Sequence, residues 1–323
     1  MLKIISFRIG FVIIVTLFLL LMVYIIPSEN KYSLELLKKQ QLEYVNFSNK
    51  GEAIYLLDNN DYIAKANIVI SSKAKTIEAK AKELLEALVV GSRNENILPN
   101  GFRTIIPANT KILDVKYTNG LIEVNFSKQL LDIKEAYEEK MIEAIVYTLT
   151  SINGVNKVMI SVEGKLLTKL PKTNTVLLGT LDKKFGINKV YDLDSISDVT
   201  SVTVYYINKY KDQPYYIPVT KYVNDKKDKI KIIIDELASG PIYEPNLMSF
   251  LNSKAKLLNY ELQNNQLILN FNDYIYTDMN SKNILEEVSY CIALSVFDNY
   301  DVDTVIFNVN EERVETVTKA LNN

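Results

Sequence analysis

The stretch KILDVKYTNGLIEVNF at 111–126 returns 145 residues later as KLLNYELQNNQLILNF at 256–271, aligned without a gap. Lys111, Leu113, Asn119, Asn125 and Phe126 recur as Lys256, Leu258, Asn264, Asn270 and Phe271. Asn119-Gly120 is a strong two-residue hairpin signal, because both residues tolerate positive φ. A turn centred there pairs Tyr117 with Ile122, Val115 with Val124 and Leu113 with Phe126, and period-2 alternation puts all six on one apolar face. Lys116 with Glu123 and Asp114 with Asn125 supply the polar face. In the second copy the turn is Asn264-Asn265, and the pairs are Leu262 with Leu267, Tyr260 with Leu269 and Leu258 with Phe271. An isolated hairpin of this kind is not stable in water, so each copy must be covered.

Helical patterns of matching order surround both hairpins. Ala81, Leu84, Leu85 and Leu88 have i, i+3, i+4, i+7 spacing and end near Gly91; Ile230, Ile233, Ile234 and Leu237 repeat it and stop at Gly240-Pro241. After the first hairpin, Asp132 with Glu135 reads as a capping box. Met141, Ile142, Ile145, Leu149 and Ile152 then form a stripe, matched by Leu285, Val288, Ile292 and Val296 in the second copy. Strands are expected at 53–57 and 202–206 before these units and at 158–162 and 305–309 after them, with further short strand material at 66–71 and 215–222. The order is β-α-β-β-α-β, an α+β sandwich with two helices on one face of a mixed sheet. The segment 164–199 lacks a sustained period and is long for a connector, so it is expected to pack on the first copy or to bridge the two.

The chain opens differently. Lys3 and Arg8 precede an uncharged apolar run of 18 residues at 9–26. As a helix this spans about 27 Å, enough for a hydrocarbon core of about 30 Å. The run ends VYIIPSEN, without a small-residue cleavage site, and the single Cys, Cys291, lies far from it. The expectation is an uncleaved transmembrane signal anchor. Residues 1–8 would be cytoplasmic and the bulk of the chain extracytoplasmic. A polar stalk at 27–50 leads to a first domain at 51–170, a connector at 171–199 and a second domain at 200–323.

With no His and one Cys among 323 residues, Ser-His-Asp and Cys-His catalysis, His/Cys zinc sites and intramolecular disulfides are excluded. Cys291 reads as a small core residue within a helix. A net charge of −2 gives no basic surface for nucleic acid. The acidic runs DNYDVD (298–303) and LDNNDY (57–62) read as turns rather than cation loops, and KEAYEEK (134–140) as the solvated start of a helix. A carboxylate-only wall hydrolase would need two acids across a cleft of about 5–10 Å, and no motif singles out such a pair. The stretch YYINKYKDQPYYIP is unusually rich in Tyr, which buries large area while keeping a polar end. Tyr205, Tyr206, Tyr210, Tyr215 and Tyr216 are therefore the candidate surface for a protein partner or a glycan.

The stretches ELLEALVVG, IPANTKILDVKYTNGLIEVNFSKQL and AIVYTLTSINGVNKVMISVEGK in copy one, LDKKFGIN in the connector, and IIIDELASGP with KLLNYELQNNQLILNF in copy two are similar to those of the GerMN-domain family. These are sporulation and spore germination proteins of Gram-positive bacteria. The resemblance covers roughly residues 50–320. It implies two tandem sandwiches akin to ring-building motifs, a scaffold or assembly role at the cell envelope through envelope proteins or self-association, and no catalysis or cofactor. Two departures stand out. Copy one has Gly91-Ser92-Arg93 where the family usually has Gly-Pro, and the family's common lipid-attachment Cys is missing.

Overall fold

The computed structural model describes residues 51–71, 73–93, 98–211, 213–241, 246–278 and 282–319. The proposed anchor at 9–26 and the stalk at 27–50 lie outside the described residues. Among the described residues, no helix is long and apolar enough to cross a membrane. Residues 46–323 form one compact unit, so both copies belong to a single packed body.

Copy one contains β1 (Glu52–Leu57), β2 (Ile63–Ile68), α1 (Ile77–Ala87), β3 (Ile112–Thr118), β4 (Leu121–Phe126), α2 (Glu135–Leu149), β5 (Lys157–Val162) and β6 (Lys165–Leu166). A short β7 (Val190–Asp192) lies in the connector. Copy two contains β8 (Thr200–Tyr210), β9 (Gln213–Val223), α3 (Lys229–Ser239), β10 (Leu257–Gln263), β11 (Gln266–Phe271), β12 (Tyr276–Asp278), β13 (Asn283–Ile284), α4 (Glu286–Asn299), β14 (Thr304–Val309) and β15 (Glu312–Thr318).

Each hairpin lies in a four-stranded mixed sheet of the same topology. The orders are β3-β4-β5-β6 and β10-β11-β14-β15, with antiparallel, parallel and antiparallel steps in turn. The turns are as the dipeptides require: Asn119 and Gly120 have φ of 49° and 84°, Asn264 and Asn265 have 45° and 63°. The helical stripes are buried as expected, at Ala81, Leu84, Leu85 and Leu88 in copy one and Ile230, Ile233, Ile234 and Leu237 in copy two. The capping box is not formed. Lys134 occupies the N-cap of α2 and makes no side-chain cap hydrogen bond.

One register expectation fails identically in both copies. Phe126 pairs with Ile112, not Leu113, and Phe271 pairs with Leu257, not Leu258. A β-bulge inserts Leu113 and Leu258 as extra residues and turns them outward, to 47 % and 53 % exposure. The bulge is held from its far side. Lys111 N–H donates to Ser127 Oγ at 2.9 Å and Ser127 N–H returns to Lys111 O at 2.9 Å; Lys256 and Asn272 make the matching pair at 3.0 and 3.1 Å.

The opening strands also depart from the expected plan. They do not enter the mixed sheets; β1 pairs with β2, and β8 pairs with β9, with β7 added parallel to β9. Each opening strand is tied to the second helix of its own copy by the same bond. Tyr55 N–H donates to Thr148 Oγ1 and Tyr205 N–H to Ser295 Oγ, both at 2.9 Å. The two hairpins then pack on each other along β2 and β9. The connector does both things expected of it. Leu181 bridges to Val158 in copy one, and Ile187 N–H donates to Thr220 Oγ1 of β9 at 3.0 Å.

Candidate functional site

The tyrosine-rich hairpin β8–β9 is not a free surface. Tyr205, Tyr206, Tyr215 and Tyr216 are buried within the chain, and Tyr210 is half-buried against Gly101, where a Cβ would come within 2.5 Å of the Tyr210 ring. The partner surface expected there is instead an internal seam. Tyr215 OH donates to Asp58 Oδ2 at 2.8 Å and stacks edge-on against Phe102 at 4.9 Å. Tyr205 OH donates to Asp298 Oδ2 at 2.7 Å and lies 3.5 Å from Tyr55 OH. Tyr206 OH reaches Glu236 Oε2 at 3.4 Å, and Tyr216 faces Tyr290. Tyrosine suits such a place because its ring fills space while its hydroxyl can find a partner, as those of Tyr205 and Tyr215 do; the Tyr216 hydroxyl has none among the described residues.

The acidic runs serve the same seam. Asp58, fully buried, accepts from Asn60 N–H, Tyr62 N–H, Asn208 Nδ2 and Tyr215 OH. Asp298 forms a 2.5 Å ion pair with Lys183, whereas Asp303 bonds Asn265, so DNYDVD is split between two tasks. The segment 134–140 is also not simply solvated, since buried Glu138 accepts from Lys172 N–H, Thr173 N–H and Thr173 Oγ1. Cys291 is buried in α4 and burial pushes its thiol well up.

Burial pushes the Asp298 carboxyl up, but the Lys183 ammonium and hydrogen bonds from Lys183 and Tyr205 outweigh it and hold it below the usual range. Lys65 on β2 faces the same cluster. Burial, and then repulsion from Lys183, bring its ammonium down to about 8. Burial, followed by the Asp298 charge, raises the Tyr147 and Tyr205 hydroxyls well above their ordinary value. In the unfolded chain a lysine titrates near 10.4, so between pH 8 and 10 the unfolded state binds the extra proton at Lys65, whose contribution to stability rises with pH. The buried Cys291 thiol acts in the opposite sense over the same window, and the tyrosines do so toward pH 10 and above, because the unfolded chain loses those protons first. The Lys65 contribution is therefore read as a difference: the urea midpoint of the wild type relative to Lys65→Met should climb from pH 8 to about 10. A difference that stays flat over this window would contradict the assignment.

The outward-facing features lie at the sheet edges. Among the described residues, β3 and β10 each end a four-stranded sheet, with no further strand paired to their outer backbone groups. The two edges are guarded unequally. On β3, Asp114 and Lys116 form a 3.2 Å ion pair, and Tyr117 OH donates to Gly154 O at 3.0 Å close to Ile77 of α1. Helix α1 packs along β3, but α3 begins about one turn later relative to its buried stripe and packs chiefly along β8. β10 carries a single charge, Glu261, no proline, and two leucines, Leu258 and Leu262, exposed to 53 % and 58 %. Tyr260 between them is half-buried, and a hydrogen bond with Asp228 raises its hydroxyl's pKa. The opposite edge, β15, displays Glu312, Arg313 and Glu315. The least protected edge of copy two is thus β10, whose outer main-chain donors and acceptors pair with no strand among the described residues. Such an edge is a template for pairing with an extended chain. Its signal in sequence was the replacement of Asp114 and Lys116 of copy one by Asn259 and Glu261, with Leu262 in place of Tyr117.

Comparison with known proteins places these features in a lineage. The chain matches the Germane family, described as sporulation and spore germination, over residues 53–168 and 203–315. It is 33 % identical over 265 residues to the spore germination protein GerM of Bacillus subtilis, covering 80 % of this chain and 70 % of that protein. The solved tandem GerMN domains of the sporulation protein GerM from Bacillus subtilis superpose with a TM-score of 0.76 at 30 % identity, over 83 % of this chain and 96 % of theirs.

Proposed function

Since the chain belongs to the Germane family of sporulation and spore germination proteins, we propose that it is a non-catalytic docking module of the cell envelope in that process. In this reading the apolar run 9–26 spans the membrane with the N-terminus in the cytoplasm, and residues 51–323 stand outside it. Lys3 and Arg8 before the run and the absence of a cleavage site after it support that orientation. The observation that carries the docking role is the uncovered β10 edge with Leu258 and Leu262 turned outward. An extended segment of an envelope protein, or of a second copy, adds to β10 as a fifth strand. Main-chain hydrogen bonds supply affinity, and the two leucines select the partner's side chains.

The role is tested with a photo-crosslinking residue at position 258 in intact cells entering sporulation. A discrete adduct is expected. Leu262→Ser in the same background should reduce it at least about tenfold, while stability changes by no more than about 0.5 kcal/mol, as for surface substitutions. No adduct from position 258, or digestion of wall material by the purified protein, would sink the reading.

A further inference from the structure

A cleft of ≈ 860 Å³ opens on copy one, away from β10, between α2, the β1–β2 turn and the connector. Its volume is within the range of about 300–1,000 Å³ usual for small-ligand sites. Glu135, Glu139 and Glu143 recur every four residues and so share one face of α2, which forms one wall. Such a row repels itself unless cations are interleaved. Lys189 supplies one, with Nζ 3.4 Å from Glu139 and 3.7 Å from Glu143, seated 3.6 Å from the Phe185 ring centre. Lys140 lines the same wall and donates to Asp61 O. Glu143 is fixed from behind by Asn188 N–H at 2.9 Å, and burial raises its carboxyl's pKa.

The rim carries a flat aromatic surface. Tyr191 lies parallel to Tyr222, with centroids 4.8 Å apart and planes 12° apart, and is 63 % exposed. Its ring is held in place by the stack, yet most of it faces solvent. An exposed, pre-set aromatic face beside carboxylates and ammonium groups offers a ligand one flat apolar contact ringed by polar ones.

The charges decide the ligand class. Three carboxylates stand against two ammonium groups, and Lys189 already pairs with two of the three, so the cleft favours neither a strong anion nor a strong cation. A metal ion would have to displace Lys189 from both carboxylates. What remains is a dense set of hydrogen-bond donors and acceptors next to a flat apolar face. A pyranose ring matches both, with hydroxyls around its rim and C–H bonds on its face. The geometry points to a saccharide-binding cleft for a neutral glycan segment, with Tyr191 as platform and Glu139 and Lys189 as the hydroxyl-binding pair, while buried Glu143 positions Lys189 from behind. The inference is independent of the β10 edge and stands or falls separately.

The full-length chain in a detergent without sugar headgroups is titrated by calorimetry with N-acetylchitotriose and with maltotriose. Saturable binding of at least one, half-complete at about 1 mM or below, is expected. Tyr191→Ala should weaken it about tenfold or more, Glu139→Gln about fivefold, and Tyr191→Phe by no more than about twofold, because the platform survives. No saturation by either sugar up to about 10 mM, or equal binding by the wild type and Tyr191→Ala, would overturn the assignment. Crosslinking from position 258 is unaffected by either result, which separates this failure from failure of the docking role.

Discussion

Asp298→Ala is expected to destabilise the folded body by about 3 kcal/mol, the low end of the cost of leaving one member of a buried ion pair without its partner, because the Lys183 side chain keeps 30 % exposure. Asp298 is only 7 % exposed and accepts from Lys183 Nζ at 2.5 Å and from Tyr205 OH at 2.7 Å. Removing it strands the Lys183 ammonium beside Lys65, whose charge is already disfavoured there. A fall in melting temperature of about 10 °C should accompany the loss. Asp298→Asn keeps an acceptor for Tyr205 and should lose less. Lys183→Met with Asp298→Leu should recover most of the loss, since a buried pair replaced by apolar groups is often neutral or better. A cycle of Asp298→Leu, Lys183→Met and the two together isolates the coupling. A single-mutant effect under about 1 kcal/mol would mean that Lys183 finds water instead.

A comparable loss is expected for Asn188→Ala. Asn188 uses its carboxamide as a substitute peptide group between β2 and β9. Its Oδ1 accepts from Ile63 N–H at 2.8 Å, while Nδ2 donates to Ile63 O at 2.8 Å and to Pro218 O at 2.7 Å. β2 and β9 lie in different sheets and share no backbone ladder, so the side chain supplies the bridge between their main chains. Alanine leaves three buried backbone groups without these partners, each worth about 1–3 kcal/mol when a donor or acceptor is stranded. It must also adopt Asn188's φ of 44°, a left-handed conformation that Asn tolerates and Ala resists. A total of about 3–5 kcal/mol by urea denaturation is expected. Asn188→Asp should not rescue it, because a carboxylate cannot donate to the two carbonyls and would stand beside Glu143. A value within about 0.5 kcal/mol of wild type would show that the seam does not depend on this bridge.

Both expectations concern the seam, the part of the protein least visible beforehand. The hairpins were legible because their information is local. Asn119-Gly120 and Asn264-Asn265 determine where the chain turns, and alternation over the next few residues sets which face is apolar. The helical stripes were legible for the same reason, with neighbours three and four residues apart. The bulge lay just beyond this reach. Nothing within Ile112–Asp114 announces an extra residue; it follows from the clamp between Lys111 and Ser127, repeated by Lys256 and Asn272, across the hairpin's open end. Its consequence is large, because one inserted residue moves Leu113 and Leu258 from the core face to the solvent face.

The tyrosines show the sharper limit. Composition marked β8–β9 as a surface because its side chains are too large and too polar for one ordinary core. In the fold both faces of this hairpin are covered, by its own helices and by copy one, through pairs separated by 150 and 157 residues such as Tyr55–Tyr205 and Asp58–Tyr215. The β10 edge is the inverse case. Its pattern repeats that of β3, yet it stands open because α3 packs chiefly along β8. Duplication, turns, helix faces and the exclusion of His- and Cys-based chemistry could be read from the amino acids, since each depends on residue identity or on contacts a few positions apart. Which surfaces are spent joining the copies and which are left for a partner depended on how the two units dock. That docking rests on contacts between residues far apart in the chain, which no short-range pattern records.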